Sequence, residues 1–279
     1  MVGIGPGDLG HLSPRARTVL GQVDTIVGYR TYTDLIQPLI KDQSVVSTGM
    51  MHEIERAQAA IDTALQGRAC AMISSGDPGI YAMAGLVLEL CRLKGIPIQT
   101  PRGESAVGEG LCIEVVPGIP ALAAGASLLG APLTHDFAAV SLSDLLTPWS
   151  QIVKRLEAAA EADFVIVIYN PRSRRRPKNL DRACEIIQRY RSPRTPSGVV
   201  TGAMRANQRV LVTTLGDLPT AAVDMQTTLF IGNSATVVYR DFMITPRGYT
   251  EKYDLTRAPD ADKTGRRLII QDDARSGRK

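Results

Sequence analysis

Three histidines and four cysteines are the residues best suited to metal binding or nucleophilic chemistry, and their spacing supports neither. His11, His52 and His135 form no pair three to five residues apart, and Cys70, Cys91, Cys112 and Cys184 are separated by 21, 21 and 72 positions with no Cys-x-x-Cys. Neither a zinc nor an iron–sulfur site is expected, and no Ser/His/Asp or Cys/His constellation marks a nucleophile. An enzyme with this sequence is expected to work without a metal. Its chemistry would rest on binding loops.

Gly3-Ile4-Gly5-Pro6-Gly7-Asp8 is the first such loop. It fails as a dinucleotide fingerprint because the third glycine of G-x-G-x-x-G would fall on Asp8, and Pro6 has no N–H for a pyrophosphate. Gly5 and Gly10 have P-loop spacing, but His11 and Leu12 stand where Lys and Ser/Thr are needed. A tight turn that brings backbone close to something remains. Three further small-residue loops follow expected strands: Ser74 to Gly79, Val116-Pro117-Gly118-Ile119-Pro120-Ala121, and Tyr169-Asn170-Pro171. Ligands of open α/β sheets bind outside the carboxyl ends of strands, where loops of this kind meet.

The elements that must carry these loops alternate between apolar strand runs and helical periodicity, the pattern of an α/β protein. Met51 to Gly67 places Ile54, Ala57, Ile61 and Leu65 on one helical face. A strand at Ala69–Ile73 and a helix from Ile80 to Lys94 follow. Asp163 to Tyr169 is apolar without alternation, as expected of a strand covered on both faces. A helix is expected from Pro177 through Ile187, with short strands at Val199–Val200, Val210–Val212, Leu229–Ile231 and Thr236–Val238. The boundary between two α/β halves is placed at the Pro-Gly turn after Val116, giving 1–116 and 117–249.

Composition narrows the class. The chain has 279 residues, 44% hydrophobic and 22% charged, without an apolar run long enough for a membrane span or a secretion signal at its start, so a cytoplasmic, membrane-free protein is expected. Residues 250–279 hold 14 charged side chains in 30 and read as a solvated, disordered tail. Without them the net charge falls from +4 to +2, and aromatic content is only 5%, so no nucleic-acid partner is expected.

Taken in order, Val2-Gly3-Ile4-Gly5-Pro6-Gly7-Asp8, Gly76-Asp77-Pro78, Val116-Pro117-Gly118-Ile119-Pro120-Ala121 and Pro132-Leu133-Thr134-His135 resemble the tetrapyrrole (corrin/porphyrin) methylase family over roughly residues 1–249. The resemblance implies S-adenosylmethionine as cosubstrate, a tetrapyrrole as substrate, two α/β domains with the active site in the cleft between them, and a homodimer. Val27 to Tyr32, His135-Asp136-Phe137, Ser141 to Trp149 and Tyr169 to Ser173 resemble the members that methylate ring carbon 17 of a corrin precursor and contract the macrocycle. These motifs do not separate a metal-free from a cobalt-bearing substrate or exclude another ring position. A rival reading is a non-catalytic tetrapyrrole-binding protein, which would bind pigment without consuming it.

Two departures from the family pattern stand out. Only Met1 to Ile4 precede the first turn, so a native start upstream of Met1 is an open expectation, and the connection Gln99 to Cys112 is long and polar, as expected of a surface loop.

Carried over motif by motif, the resemblance places donor binding on Pro6, Ser75, Gly76, Asp77, Ile80, Pro120, Ala121, Asn170 and Gly202. Methyl transfer from a sulfonium is an in-line displacement that asks for alignment and exclusion of water more than for a nucleophile. Ring contraction needs proton movement, for which Asp8, Asp77, His135, Asp136 and Asp144 are the candidates near the motifs. The substrate class is rich in carboxylates, and the basic run after Asn170-Pro171 supplies cations, with Arg172, Arg174 and Arg175 expected to bind it.

Overall fold

A computed structural model of the chain describes residues 1–101, 110–173 and 175–255. Met1–Thr245 forms one compact unit and the residues from Pro246 a second. The expected boundary at 116/117 falls inside the first unit, between its two main sheets.

The first sheet comes from β1 (Val2–Gly3), β2 (Thr25–Tyr29), β3 (Ser44–Thr48) and β4 (Cys70–Ser74), interleaved with α1 (Pro14–Leu20), α2 (Arg30–Leu35), α3 (Glu53–Leu65) and α4 (Ala84–Leu93). Its order is β1-β4-β2-β3 with every pair parallel. Parallel neighbours need helical crossovers, and these cover both faces. Alternation along the central strands shows it: Ile26, Ala71 and Ile73 pack with Ala16 and Leu20 of α1, while Val27 and Met72 pack with Ala57 and Ile61 of α3 and Val87 and Cys91 of α4. β5 (Ile98–Gln99) and β6 (Leu111–Cys112) pair in parallel at the two ends of the long connection, whose residues 102–109 lie outside the described residues.

The second sheet lies beyond α5 (Ala121–Leu129) and β7 (Gly130–Ala131). It contains β8 (Phe137–Ser141), β9 (Val165–Tyr169), β10 (Pro196–Thr201), β11 (Arg209–Thr214) and β12 (Thr227–Ile231), in the order β11-β10-β12-β9-β8. Only β8 and β9 are parallel. They are joined by α6 (Trp149–Glu161), and α7 (Asn179–Ile187) follows β9. Ile166 and Ile168 face α6 and α7, whereas Val167 joins Leu129 of α5 and Phe230 on the opposite side. That double cover is why the β9 run is uniformly apolar. A third sheet, β13 (Val237–Tyr239), β14 (Phe242–Ile244) and β7, closes this half. In the second unit α8 (Tyr249–Lys252) occupies the start of the expected tail, and 256–279 lie outside the described residues.

Helix starts fall later than periodicity places them. The helix expected from Ile80 begins at Ala84, because Asp77 to Met83 is spent on turns, and the one expected from Pro177 begins at Asn179 behind Lys178. Gly125 and Gly198 make room for the core: a methyl group at Gly125 would sit 2.7 Å from the Phe230 ring. Phe230 is fully buried. Phe230→Ala is expected to cost about 3–5 kcal/mol, read as a lowered midpoint in urea denaturation.

Candidate functional site

Main-chain hydrogen bonds join the first three loops. Gly3 N donates to Val116 O (2.9 Å), Ile4 N to Ser74 O (2.9 Å), and Gly5 and Gly76 exchange bonds in both directions at 3.2 and 2.7 Å. Val116 therefore adds one bridge to the free side of β1, and the Pro-Gly turn that follows lies across the ends of β1 and β4. The approach leaves no space for side chains: a methyl group at Gly118 would sit 2.1 Å from Gly76 O, and one at Gly3 2.6 Å from Gly118 N. Gly5 and Gly76 both have φ of +67°, the left-handed region where glycine carries no Cβ penalty.

Asp77 ties this contact down. Its Oδ1 accepts from Gly79 N (2.8 Å) and its Oδ2 from Gly118 N (3.2 Å), so the carboxylate organises the second and third loops together. Gly76 packs against Pro120 and Ala121, the N-cap and first residue of α5, and Ile80 N donates to Asp77 O. Pro6, Ser75, Gly76, Asp77, Ile80, Pro120 and Ala121 thus belong to one cluster.

Two longer side chains, absent from the sequence-derived set, extend it to the second sheet. Tyr169, at the carboxyl end of β9, accepts from Leu122 N in the first turn of α5 (2.9 Å), and its ring lies 5.0 Å from that of Tyr81. Tyr81 donates to Ala139 O of β8 (2.9 Å). Burial pushes the Tyr169 phenol up to about 12 and raises that of Tyr81, so both stay neutral donors or acceptors at working pH. Asn170, with φ of +52°, donates from Nδ2 to Ser141 Oγ (2.9 Å) at the ends of β9 and β8.

Arg205 is the other link. Gly202 (φ +59°) opens the turn after β10, and Arg205 closes it by donating its own N–H to Gly202 O (3.0 Å). The guanidinium then reaches Pro6 O through Nε (2.6 Å) and Ser75 Oγ through Nη2 (3.0 Å). No motif marks Arg205 in the sequence. Beside it an open depression of about 610 Å³ is lined by Gly7, Asp8, Leu9, Leu35, Met204, Arg205, Ala206 and Gln208.

The remaining expected residues are spread more widely. Asp8 is exposed on that depression, and its carboxylate caps the short 3-10 helix Leu9–His11 by accepting from Gly10 N. His135 and Asp136 are exposed at the amino end of β8, the opposite end of that strand from Ser141 and Asn170, and Asp136 N donates to His135 Nδ1. Asp144 lies 3.8 Å from the Arg176 guanidinium. Arg172 donates to Asp181 Oδ1 (2.6 Å) and Pro219 O (3.0 Å), so its charge is engaged within the second half. Arg175 is exposed, with Nη1 3.5 Å from Met51 Sδ, and Arg174 lies outside the described residues. Among the described residues there is no group of three or more His, Cys, Asp or Glu placed to hold a metal, and no helix is long and apolar enough to cross a membrane.

Two sheets feed glycine-rich loops into one cluster that main-chain hydrogen bonds hold together, an α/β arrangement. The chain matches the family Tetrapyrrole (Corrin/Porphyrin) Methylases over residues 1–219, and it belongs to that family. It is 48% identical over 250 residues to the probable cobalt-factor III C(17)-methyltransferase of Salmonella typhimurium, covering 90% of this chain and 98% of the relative. It is 47% identical over 268 residues to the cobalt-factor III methyltransferase of Priestia megaterium, covering 96% of this chain and spanning about half the length (48%) of that relative. Among solved structures, the methyltransferase CobJ superposes with a TM-score of 0.78 at 35% identity, covering 88% of this chain and 98% of the other.

The glycine contact predicts a sharp contrast between two substitutions. Gly118→Ala is expected to cost at least about 1–3 kcal/mol, because the opposing atoms are backbone and cannot swing away. Gly85, inside α4 with open space around it, is expected to gain about 0.5–1 kcal/mol on replacement by Ala. Thermal midpoints of the two variants should move in opposite directions.

Proposed function

We propose that the chain is an S-adenosylmethionine-dependent methyltransferase of cobalamin biosynthesis, acting at ring carbon 17 of a corrin precursor with contraction of the macrocycle. The observation that carries the reading is the joined loop cluster, in a chain with close relatives of that named activity over nearly its whole length. The residues fit the cosubstrate. Close packing at Gly3, Gly76 and Gly118 gathers the small residues Pro6, Ser75, Pro120 and Ala121 at one place, with little side-chain bulk between their main chain and an adenosine or amino-acid moiety.

When bound, the cosubstrate supplies an electrophilic methyl group on a sulfonium. The chain's own part is alignment: Asp77 holds the second and third loops in register, Tyr169 fixes the first turn of α5, and Arg205 fixes Pro6 and Ser75. Donor binding is assigned to Pro6, Ser75, Gly76, Asp77, Ile80, Pro120, Ala121, Asn170 and Gly202, in a cleft between halves 1–116 and 117–249. Among the proton-carrier candidates Asp8 is favoured, since it lines the depression while His135 and Asp136 sit at the far end of β8. Of the expected substrate-binding cations, Arg175 is exposed whereas Arg172 is engaged with Asp181. A cytoplasmic homodimer completes the reading.

Two substrates are in view. The sequence motifs are shared by enzymes of both routes, and metal-free precorrin-3B, converted to precorrin-4, is the first candidate; the names of the Salmonella and Priestia relatives favour cobalt-factor III. Incubation with S-adenosylmethionine and each substrate in turn should give, from one of them, S-adenosylhomocysteine and a product heavier by one methyl replacing one hydrogen. No product from either would sink the assignment. Asp8→Asn keeps an oxygen to cap Gly10 but removes the charge, and it is expected to lower kcat by about 10²–10⁴-fold with donor KM little changed. A kcat within twofold of wild type would remove Asp8 from proton transfer.

A further inference from the structure

Arg205 differs from the other partly buried arginines in what its charge meets. Arg172, Arg176 and Arg191 each have an acidic side chain within 4.0 Å, at Asp181, Asp144 and Asp163. Among the described residues no ion pair includes Arg205: its two bonded nitrogens donate to a carbonyl and a hydroxyl, and its Nη1 has no protein partner. Tyr32 is the titratable group that most affects it, and that phenol is itself raised by burial and stays neutral. A half-buried cation with only neutral acceptors is held at a cost in solvation that an opposite charge would offset.

The surroundings are built to keep it there. A methyl group at Gly7 would sit 2.7 Å from Arg205 Nε, so glycine at position 7 is what admits the guanidinium. The Gly202 turn, with Met204 also at positive φ (57°), sets the direction of the side chain. Two of its five N–H vectors are fixed on Pro6 and Ser75, which limits the fork to one orientation, and the residue lines the depression it shares with Asp8, Met204 and Gln208.

We propose that Arg205 is a carboxylate anchor of the site, receiving through Nη1 an anionic group of a bound reactant while holding the first two loops together. The inference rests on the proposed methyltransferase reading, which supplies two sources of that group: a peripheral carboxylate of the tetrapyrrole and the α-carboxylate of the donor. Guanidinium–carboxylate bonds are charge-assisted, and removal of one partner of such a desolvated pair costs affinity steeply.

Binding isotherms of the full chain separate the sources without requiring turnover. The probes are S-adenosylhomocysteine, methylthioadenosine, which is a thioether adenosine without the amino-acid carboxylate, and uroporphyrin III as a polycarboxylate tetrapyrrole. Arg205→Met is expected to weaken one carboxylate probe by about 30-fold or more, and Arg205→Lys to recover part of that loss. A loss confined to uroporphyrin III assigns the tetrapyrrole carboxylate; a loss for S-adenosylhomocysteine but not methylthioadenosine assigns the donor carboxylate. Equal losses for the two adenosines mean that Arg205 only positions loops and overturn the proposal, as does no loss for any probe. Should Arg205→Met fail to fold, wild-type salt dependence decides: affinity for a carboxylate probe should fall as ionic strength rises while that for methylthioadenosine stays level, and equal slopes overturn the anchor. Probe binding without methyl transfer would sink the proposed function and leave the anchor standing, whereas failure of the wild type to bind any probe overturns both.

Discussion

Backbone touching backbone, at the place where Gly118 lies against the Gly76 carbonyl and Gly3, is the constraint from which the rest of the site follows. Because Val116 bridges to β1, the chain leaves the first sheet in register with its outermost strand and delivers Pro120 to the start of α5 at a fixed distance from Gly76. α5 then packs Leu129 against Val167 and Phe230 of the second sheet. A side chain at any of the three glycines would separate the loops, and with them the elements that bring Tyr169 and Arg205 to the cluster.

Charge is used sparingly around this contact. Asp77 is the carboxylate inside the cluster, and two backbone N–H groups, of Gly79 and Gly118, occupy its oxygens as a structural acceptor. The arginines divide by partner. Arg191 is buried and donates to the carbonyls of Gly232, Ala159 and Phe164, and burial lowers its pKa, so it is a clamp for chain turns near the amino end of β9. Arg172 and Arg176 hold the segment after β9 against Asp181 and Ser143. Arg205 alone among these four meets neutral acceptors at the loops.

Much of the fold was legible because double cover and single cover leave different marks. The uniform apolar run of β9 appears where the sequence placed it, and α3 forms as expected, but its buried face holds Ala57, Ala60 and Ile61 with Arg56 and Thr63, while Ile54 and Leu65 at the two ends of the expected stripe are exposed. Helix starts were less legible: Ile80 to Met83 and Pro177–Lys178 continue an acceptable helical pattern, and the first helix is delayed by turn bonds such as Ile80 N to Asp77 O and by Tyr81 at φ +50°, which periodicity does not encode. The glycine loops could be listed from sequence, but their mutual contact could not. The basic run at 172–176 is a dense patch of charge in the sequence, yet density says nothing of partners, and a single arginine 33 residues beyond Arg172 carries the link to the first two glycine loops.

The sequence by itself determined the α/β class, the glycine-rich loops, and the family, since apolar patterning, glycine placement and motif order are local properties. Only tertiary structure decided which loops touch, that His135 and Asp136 lie at the opposite end of β8 from Asn170, and that, among the described residues, half-buried Arg205 has no acidic partner where Arg172, Arg176 and Arg191 each have one. The reason is physical: a hydrogen bond between Arg205 and Pro6 spans 199 positions of chain, and no local pattern of residue types records a contact made only when two sheets have closed around one set of loops.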